Sequence, residues 1–389
     1  MSISISFFSN FFNAHQLPIA LELHDNPDIR YTFIAMQQVE GLEGRACLND
    51  AYPFVVKQYL NAGEADVAMS HALEDDIVVF GDMAGDESYV RARAKSRKPF
   101  FRYAERLLKR GDWWAYMPPK QYRTYDRFTR YSNAAMYVLC ASGYTARDLV
   151  KFRFPVERCL KWGYFPQADC APVEARKPTP QRDVALCSAQ RLIPWKRVDL
   201  QVRMAKELKD RGISFTFSIA GDGKELLPLK RLAQELGVGD RIRFVGALSS
   251  EATAALMRSS DIFLATSNRK EGWGATVNEA MSAGCAVVSS NQVGSAPFLI
   301  DVGVDGAVFC SGNAADLADK VSGLIADQGK LREIAVAGSE KIRGMWSAKN
   351  AALRLVTVSK QLLATDCISP FEQGPLSVAE VIDDDWYAK

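Results

Sequence analysis

The sequence predicts an α/β protein built from two Rossmann-like, doubly wound domains. Short apolar runs of strand length alternate with helix-length amphipathic segments along almost the whole chain, which is the pattern of parallel sheets covered by helices. The 389 residues exceed what one hydrophobic core usually supports, and residues 171–182 are rich in proline and charge without an apolar period. We therefore expect an N-terminal domain over 1–172, a linker, a C-terminal domain over 183–345, and a helix and tail over 346–389 that pack back toward the first domain.

Strand candidates in the first half are runs in which apolar residues dominate, with helical patterns between most of them. These runs are Ile3–Phe8, Tyr31–Ala35, Asp66–Ser70, Ile77–Phe80, Pro99–Tyr103 and Tyr137–Ala141. Parallel strands place their carboxyl ends at one edge of a sheet, and open α/β sheets bind ligands outside that edge. Residues that directly follow a strand are therefore site candidates, and two such domains joined by a linker leave a cleft between these edges.

The second half begins the pattern afresh. Apolar residues recur at helical spacing between Val198 and Leu208, and Gly212 ends that helix. Asn313 caps a later helix, and Ala348–Leu363 forms the last one. The strand candidates of this half are Val184–Ser188, Ile213–Ile219, Ile242–Val245, Ile262–Ala265, Ala286–Ser289 and Ala307–Cys310.

Composition narrows the classes of function. With 48% hydrophobic and 24% charged residues the chain is typical of globular proteins, and a formal net charge of +2 argues against nucleic acid as a partner. No apolar run reaches the about 18 residues that a membrane-spanning helix needs, and the N-terminus lacks the positive flank of a signal peptide. The eight cysteines show no metal-binding spacing. We expect a cytoplasmic protein with buried free thiols and no metal site.

The segment EGWGATVNE, from Glu271 to Glu279, is the most informative stretch. It follows a strand candidate, and its Gly-x-Gly turn opens a helix, where free backbone amides favour an anion. Glu271 precedes the turn and Glu279 lies about one and a half turns into the helix, so the two carboxylates flank the anion from different sides. This arrangement suits a ligand with a phosphate in the middle and hydroxyl-rich rings at both ends, such as a sugar nucleotide.

A second cluster, Ser188–Leu200, follows the first strand of the second half. Arg191 and Lys196 project there from the ligand-binding edge, and Pro194 fixes the turn. Two cations at this place offset the charge of a diphosphate. The alternative is a solvated basic loop, which the presence of EGWGATVNE in the same domain disfavours.

Taken in order, these pieces resemble the donor domain of retaining GT-B-fold glycosyltransferases of family 4, the glycosyl transferases group 1. The resemblance covers roughly residues 183–345, and the Glu-x7-Glu core is its most specific part. The matching motifs are Arg191 with Lys196, Gly221-Asp-Gly223, Arg243-Phe-Val-Gly246, Glu271 to Glu279, Val293-Gly-Ser and Asp305-Gly306.

The resemblance implies roles for these residues. Arg191 and Lys196 would bind the diphosphate as the leaving group, Glu271 would hold sugar hydroxyls, and Glu279 would hold the ribose. The other donor-binding candidates are Gly221, the backbone around Phe244 and Val245 for the base, and Gly272, Trp273, Gly274, Ala275 and Thr276 for the phosphate and sugar. For Phe244 and Val245 core packing is the alternative, and for Trp273 it is loop packing.

The activity implied by the resemblance is transfer of a sugar, with retention, from a nucleoside-diphosphate sugar to a hydroxyl. UDP is the favoured carrier, with GDP next, and neither a metal nor a bound cofactor is required. The acceptor would be a sugar or lipid-linked molecule in cell-surface polysaccharide or glycolipid synthesis. Two alternatives stay open: a sugar-nucleotide epimerase of the same fold, and a non-catalytic sugar-nucleotide-binding subunit.

The first half departs from the family. It has no glycine-rich turn after the first strand and no histidine after the mid-domain strand, where Glu105 would take that role unless it only begins a helix. His15 and His71 follow predicted strand ends and are further catalytic candidates. In the second half, Pro297-Phe298 stands where the family usually has Pro-Glu.

A basic block runs from Arg91 to Tyr116. Between residues 91 and 130 thirteen lysines and arginines face three acids. Five of these cations, on one predicted helix, are Arg91, Arg93, Lys95, Arg97 and Lys98. With the aromatic residues beside it, the block suits a peripheral contact with the inner face of a membrane or a phosphate-bearing lipid acceptor. A solvated helix face is the alternative. The acidic run Asp383–Asp385 is expected to be a solvated tail.

Overall fold

The computed structural model describes residues 2–39, 47–83, 85–167 and 183–388. The described chain divides into two compact units. The first comprises the described part of Met1–Gln167 with Trp346–Ile382, and the second comprises the described residues up to Met345 with Asp383 onward. The linker predicted at 171–182 lies outside the described residues.

The first unit contains a seven-stranded parallel sheet. Its strands are β1 (Ile3–Ser9), β2 (Ile29–Ala35), β3 (Val55–Lys57), β4 (Ile77–Phe80), β5 (Phe100–Ala104), β6 (Met136–Cys140) and β7 (Cys159–Lys161). They lie in the order β3-β2-β1-β4-β5-β6-β7. The direction in which the sheet grows reverses between β1 and β4, so a ligand crevice is expected outside these two strands.

Five helices precede the last strand of this unit in sequence. They are α1 (Leu17–His24), α2 (Ala62–Glu74), α3 (Ser88–Lys95), α4 (Pro118–Arg127) and α5 (Thr145–Val150). The strand predicted at Asp66–Ser70 is wrong, because this segment lies inside α2. Asn61 caps that helix by accepting from the amide of Glu64 at 3.0 Å, and only Ala68 and Ala72 are buried in it. A capped helix with one small buried stripe satisfies its backbone without joining the sheet.

The second unit contains a six-stranded parallel sheet. Its strands are β8 (Val184–Ala189), β9 (Phe215–Ala220), β10 (Ile242–Gly246), β11 (Ile262–Ala265), β12 (Ala286–Ser290) and β13 (Ala307–Phe309). The order β10-β9-β8-β11-β12-β13 is the Rossmann order, with its switch point between β8 and β11. The two predicted Rossmann-like domains are confirmed.

The helices of the second half cover both faces of this sheet or continue into the first unit. They are α6 (Val198–Asp210), α7 (Leu226–Glu235), α8 (Ser250–Ser259), α9 (Thr276–Ser282), α10 (Ala296–Leu299), α11 (Ala314–Ala326), α12 (Gln328–Arg343) and α13 (Ala348–Thr365). The predicted cap is confirmed, since Asn313 Oδ1 accepts from the amides of Ala315 and Asp316 at 3.1 Å. Helix α13 packs against α1. In the described part of the chain, no helix combines the length and apolarity needed to cross a bilayer.

Candidate functional site

The loops that follow β8 and β11 carry the strongest sequence candidates. These strands are neighbours in the sheet, and Leu186 in β8 lies opposite Ile262 in β11. Because the strand order reverses here, the two loops diverge and leave a crevice at the carboxyl edge. Arg191 and Lys196 lie in the first loop and Glu271 lies in the second. The structure therefore brings the predicted cations and the first predicted carboxylate to one end of the sheet.

A short helical turn, Pro194–Lys196, presents Lys196. The loop after β11 holds this turn at two points: the hydroxyl of Thr266 donates to the carbonyl of Lys196, and the amide of Asn268 donates to the carbonyl of Trp195, each at 2.9 Å. The position of the lysine backbone is therefore set by the strand that leads to Glu271, and not by its own loop alone.

A buried relay of polar side chains supports the same turn. Ser188 Oγ donates to Gln201 Oε1 at 2.8 Å, and Gln201 Nε2 donates to Thr266 Oγ1 at 2.8 Å. All three side chains are fully buried, and the relay ends on the carbonyl of Lys196. Hydrogen-bonded networks inside a protein are rigid when every member is satisfied. No motif in the sequence marks Gln201 and Thr266, apart from their positions in α6 and after β11.

Lys196 and Glu271 form an ion pair in which Nζ donates to Oε2. Their side chains are 14% and 15% exposed, so the pair is largely shielded from water. Arg191 is exposed, and its guanidinium carbon lies 5.8 Å from the centre of the Trp195 ring. One predicted cation is therefore held against a predicted carboxylate, and the other is stacked loosely at the mouth of the crevice.

Gly221 and Gly223 allow the loop after β9 to touch the Arg191 loop backbone to backbone. Gly221 has φ +134° and Gly223 has φ +148°, a region that side chains rarely adopt. A Cβ atom on Gly221 would lie 1.8 Å from the carbonyl oxygen of Gln190. The amide of Leu192 donates to the carbonyl of Asp222 at 2.8 Å. These glycines support the loop that carries Arg191.

The turn after Glu271 exposes backbone amides toward the same end of the sheet. Gly274 has φ +88°, and α9 begins at Thr276. Within the described residues, no protein group accepts from the amides of Gly272, Gly274, Ala275 and Thr276. Consecutive free amides at a turn form an anion-binding concavity. The donors that the predicted anion site requires are therefore unpaired in this turn, and the site itself stays a prediction.

Trp273 packs inside the domain. Its side chain is 1% exposed, and its indole Nε1 donates to Asn278 Oδ1 at 2.8 Å. Phe298, which replaces the family's usual glutamate, has its ring 6.3 Å from the Trp273 ring. Only the main chain of Trp273 therefore remains a candidate for ligand contact. The phenylalanine that departs from the family's Pro-Glu pattern packs near the Trp273 ring.

Glu279 lies one turn into α9, somewhat nearer to the helix start than predicted. Its carboxylate is partly exposed but surrounded by protein, and no described group donates to it. Burial raises the pKa of this carboxyl group. An unpaired, partly buried carboxylate at the edge of a crevice is a ready acceptor for ligand hydroxyl groups.

Phe244 and Val245 end β10, the edge strand of this sheet. Both are half-buried, and Phe244 packs against the domain core. The pairing with β9 shifts register between Phe244 and Gly246. The core-packing alternative is therefore realised for the Phe244 side chain, while the outer backbone of this edge strand stays available.

A separate cavity of about 480 Å³ lies within the first unit, at the carboxyl ends of β1, β4 and β5. His15 and Glu105 both line it. Tyr164 donates its hydroxyl to Glu105 Oε1 at 2.9 Å, and Lys109 Nζ donates to Oε2 at 2.7 Å. No helix begins at Glu105, so the helix-start alternative is wrong. The His15 ring lies 5.7 Å from the Tyr164 ring.

His71 lies elsewhere. It occupies the last turn of α2, with Nδ1 2.9 Å from Asp75 Oδ2, and it does not line the cavity. Its candidacy rested on a strand end at residue 70, and that strand is absent because the segment is helical. The structure gives His71 a local partner on its own helix instead.

The basic block is partly internal. Arg93 is fully buried and donates to the carbonyls of Asp76 and Pro99, both at 2.7 Å. Arg102 is also fully buried, and its Nη1 and Nη2 donate to the two carboxylate oxygens of Glu87 at 2.8 and 3.1 Å. The prediction of one helix carrying five cations is wrong, because α3 ends at Lys95. The block is therefore less positive at the surface than its sequence suggests.

The acidic tail, Asp383–Asp385, belongs to the second unit, whereas residues 346–382 before it belong to the first. The side-chain amide of Asn291 donates to the carbonyl of Asp384 at 2.7 Å, and the indole of Trp386 donates back to the carbonyl of Asn291 at 3.3 Å. Asp383, Asp384 and Asp385 are exposed, as expected for a solvated acidic run.

The second half of the chain resembles proteins of known family. Residues 173–341 match the family described as glycosyl transferases group 1. A GDP-mannose-dependent alpha-(1-6)-phosphatidylinositol monomannoside mannosyltransferase of Mycobacterium tuberculosis is 27% identical over 181 residues, which covers 45% of this chain and 46% of that protein. A D-inositol 3-phosphate glycosyltransferase of Mycolicibacterium smegmatis is 32% identical over 146 residues, covering 37% and 33%. The chain thus matches less than half the length of each relative.

Solved structures resemble the whole chain. Anabaena Alr3699/HepE in complex with UDP has a TM-score of 0.65 at 17% identity, covering 94% of this chain and 99% of that one. A glycosyltransferase from Rickettsia africae has a TM-score of 0.67 at 15% identity, with the same coverage. At these identities the likeness concerns the fold, and it confirms the GT-B class expected from the sequence.

Proposed function

We propose that this chain, whose residues 173–341 match the glycosyl transferases group 1 family, is a retaining glycosyltransferase. It would move a sugar from a nucleoside-diphosphate sugar to a hydroxyl group of an acceptor. The observation that carries the proposal is the grouping of an ion-paired lysine, unpaired turn amides and an unpaired glutamate at the switch point of the second sheet. These groups match the three parts of such a donor.

The diphosphate part of the donor fits the cations and amides. Negative charge builds on the departing oxygen as the sugar leaves, and fixed positive groups aimed at that oxygen lower the barrier. Lys196 supplies a point charge, Arg191 supplies fork geometry, and the Gly272–Thr276 amides supply dipoles. Because these residues provide the positive charge, the proposal includes no metal and no bound cofactor.

The two rings of the donor fit the two glutamates. Glu271 is held by Lys196 in the structure, and a diphosphate that binds Lys196 would free its oxygens for the sugar hydroxyls. Glu279 would accept the ribose hydroxyls, which would satisfy a carboxylate that lacks a donor among the described residues. The backbone at the end of β10 would meet the base.

The transfer requires no enzyme nucleophile. Departure of the diphosphate leaves an oxocarbenium-like sugar, the acceptor hydroxyl attacks on the leaving-group face, and the departing phosphate takes the hydroxyl proton. Configuration is then retained. The cavity of the first unit, with His15 and Glu105 in its wall, has a volume suited to an acceptor of sugar size.

The names of related proteins suggest the donor and the acceptor. UDP is the favoured carrier, because Anabaena Alr3699/HepE was solved with UDP and with UDP-glucose. GDP is second, since the mycobacterial mannosyltransferases are named as GDP-mannose-dependent. A lipopolysaccharide core glycosyltransferase of Rhizobium meliloti is 31% identical over 129 residues. We therefore place the acceptor in cell-surface polysaccharide or glycolipid synthesis, and the protein in the cytoplasm or at the inner face of the membrane.

Calorimetric titration of the purified protein with UDP-glucose, GDP-mannose and ADP-glucose, with a chelator present, tests the proposal. We expect one carrier to bind well above the others, and Lys196→Gln to weaken that binding. Arg203→Gln, an exposed change on α6, is the control of matched charge. Binding of none of the three would contradict the proposal. Binding without transfer to any acceptor would favour the non-catalytic subunit, and inversion at the sugar carbon would refute the retaining mechanism.

A further inference from the structure

A second cavity, of about 330 Å³, lies beside α4 in the first unit. One face of α4 forms a wall, with Lys120, Arg123 and Arg127 spaced three, four and seven positions apart. Arg110 and Trp114, which precede α4 in the chain, also line the cavity. Four cations therefore converge on a cavity whose lining residues include no carboxylate.

Three of these cations have no anionic partner. Arg110, Lys120 and Arg123 form no ion pair with any residue in the described ranges. Arg110 instead lies with its guanidinium carbon 4.9 Å from the centre of the Trp114 ring. Lys120 is half-buried, and a half-buried cation without an ion-pair partner gains from a bound anion because its charge is otherwise poorly compensated; Arg110 and Arg123 are exposed and add positive charge beside it.

The nearby carboxylates are already engaged. An oxygen of Glu87 lies 2.8 Å from Arg127 Nε. The same carboxylate also accepts hydrogen bonds from both terminal guanidinium nitrogens of Arg102. Asp148 accepts from the amides of Leu107 and Leu108, each at 2.8 Å. One carboxylate shared by two arginines leaves a net positive charge at this end of α4.

The surroundings of Lys120 lower the pKa of its side-chain ammonium group. Burial lowers its pKa, the charges of Arg127 and Arg123 lower it further, and Asp148 opposes them. Burial is thus the main cause of the lowered pKa, and the two neighbouring arginines add to it.

We infer that this cavity binds a phosphate group carried by the acceptor. Arg110 and Arg123 both line the cavity and have the fork geometry suited to phosphate oxygens, and Lys120 adds a point charge. Leu107, Arg127 and Phe128 line both this cavity and the 480 Å³ cavity. A phosphate bound here would hold the rest of the acceptor next to His15 and Glu105. The inference rests on the proposed function for its meaning, but the binding of phosphate can be measured without it.

The phosphate has two sources with the same chemistry. It belongs either to a soluble phosphorylated acceptor or to a lipid headgroup at a membrane surface. Four aromatic residues on and before α4 are each more than half exposed: Trp113, Tyr116, Tyr122 and Tyr125. Aromatic rings beside cations are typical of the membrane interface, so both sources need a separate arm in the test.

The test compares the wild type with Arg110→Gln/Arg123→Gln, two exposed side chains whose change leaves the core intact. The control is Arg30→Gln/Arg332→Gln, which removes the same charge from exposed sites outside the cavity. In one arm, glycerol 3-phosphate is titrated into each protein and glycerol serves as the neutral probe. In the other arm, each protein is sedimented with phosphatidylcholine vesicles that contain or lack phosphatidylglycerol.

We expect the cavity variant to bind phosphate about a hundredfold more weakly, roughly tenfold for each cation lost, while the control matches the wild type. Loss in the first arm identifies a soluble phosphate, and loss in the second arm alone identifies a lipid headgroup. Equal binding by all three proteins in both arms overturns the inference.

The titrations contain no sugar-nucleotide donor, so they measure phosphate binding independently of transfer. A protein that binds phosphate but shows no transferase activity in a separate assay would refute only the proposed function. Unchanged phosphate binding with active transfer would refute only the inference.

Discussion

Lys196 and Glu271 are bonded to each other across the switch point of the second sheet. They stand 75 positions apart in the chain, and their side chains are only 14% and 15% exposed. Each side chain holds the other in place through this ion pair. Under the proposed function, a diphosphate would compete for the lysine and release the carboxylate for the sugar, so we expect the two residues to act as one unit.

Coupling between the two residues is the first prediction. Lys196→Ala should slow transfer by about 10² or more, because a charge partner of the leaving group is lost. Glu271→Ala should also lower the rate strongly while the protein stays folded, since the residue lies on a loop. The double variant should lose much less than the sum of the two free-energy losses. Steady-state kcat/KM of the wild type, the two single variants and the double variant measures this coupling. Strictly additive losses of activation free energy would show that the two residues act independently.

Stability should change with Glu279. Burial raises the pKa of this carboxyl above its ordinary value of 4.5, so the folded protein holds the proton more tightly than the unfolded chain does. Ionisation then opposes folding, and this group's contribution to stability falls as pH rises from the unfolded pKa through the folded one. Glu279→Gln should therefore raise the urea midpoint at neutral pH, and the gain should disappear in acid.

The same variant should bind the donor less well. Loss of charge-assisted hydrogen bonds to the ribose predicts about 10- to 100-fold weaker binding of the nucleotide sugar. Glu235→Gln, at the end of α7, is a suitable exposed control for both measurements. A Glu279→Gln protein that is neither more stable nor weaker in binding would show that this carboxylate is simply solvated.

The glycine at 221 should be irreplaceable. Gly221→Ala puts a Cβ atom 1.8 Å from the Gln190 carbonyl oxygen, so the Arg191 loop must move. We expect a loss of about 2–4 kcal/mol in the free energy of unfolding and weaker donor binding. Gly237→Ala places its Cβ atom in open space at a left-handed φ of +67° and should lose only about 1 kcal/mol. Chemical denaturation of both variants measures the additional loss of stability at position 221, and calorimetry measures donor binding; equal losses of stability would contradict this explanation.

The buried relay should position Lys196. Thr266→Val keeps the side-chain shape but removes the donor to the Lys196 carbonyl and the acceptor for Gln201. We expect a loss of about 1–3 kcal/mol in stability and a lower kcat with little change in KM. Thr216→Val, on an exposed position of β9, is the matched control. A drop in stability without any change in kcat would assign the relay a purely structural role.

Sequence reasoning located the second domain better than the first. Periodicity and caps predicted its strands and the Asn313 helix start, because a regular parallel sheet needs continuous apolar runs and satisfied helix ends. The loops after β8 and β11 could be paired because topology dictates which strand ends meet. The roles of Thr266 and Gln201 could not be predicted, because a single buried polar residue does not change the periodicity of a sequence.

Errors in the first domain have two physical causes. Arg93 and Arg102 look like surface cations, but their guanidinium groups satisfy carbonyls and a carboxylate inside the domain, and such partners are far away in sequence. The strand predicted at Asp66–Ser70 has a composition that a helix accommodates equally well. The same ambiguity placed His71 at a strand end that does not exist.

A crystal structure of the protein soaked with UDP-glucose, or with the carrier that binds best, tests the central claim most directly. We predict diphosphate oxygens about 2.7–2.9 Å from Lys196 Nζ and within reach of Arg191 and the Gly272–Thr276 amides, with Glu279 on the ribose hydroxyls. The ion pair between Lys196 and Glu271 should be open, and Glu271 should contact the sugar. Donor density at another place, with that ion pair still closed, would contradict the account.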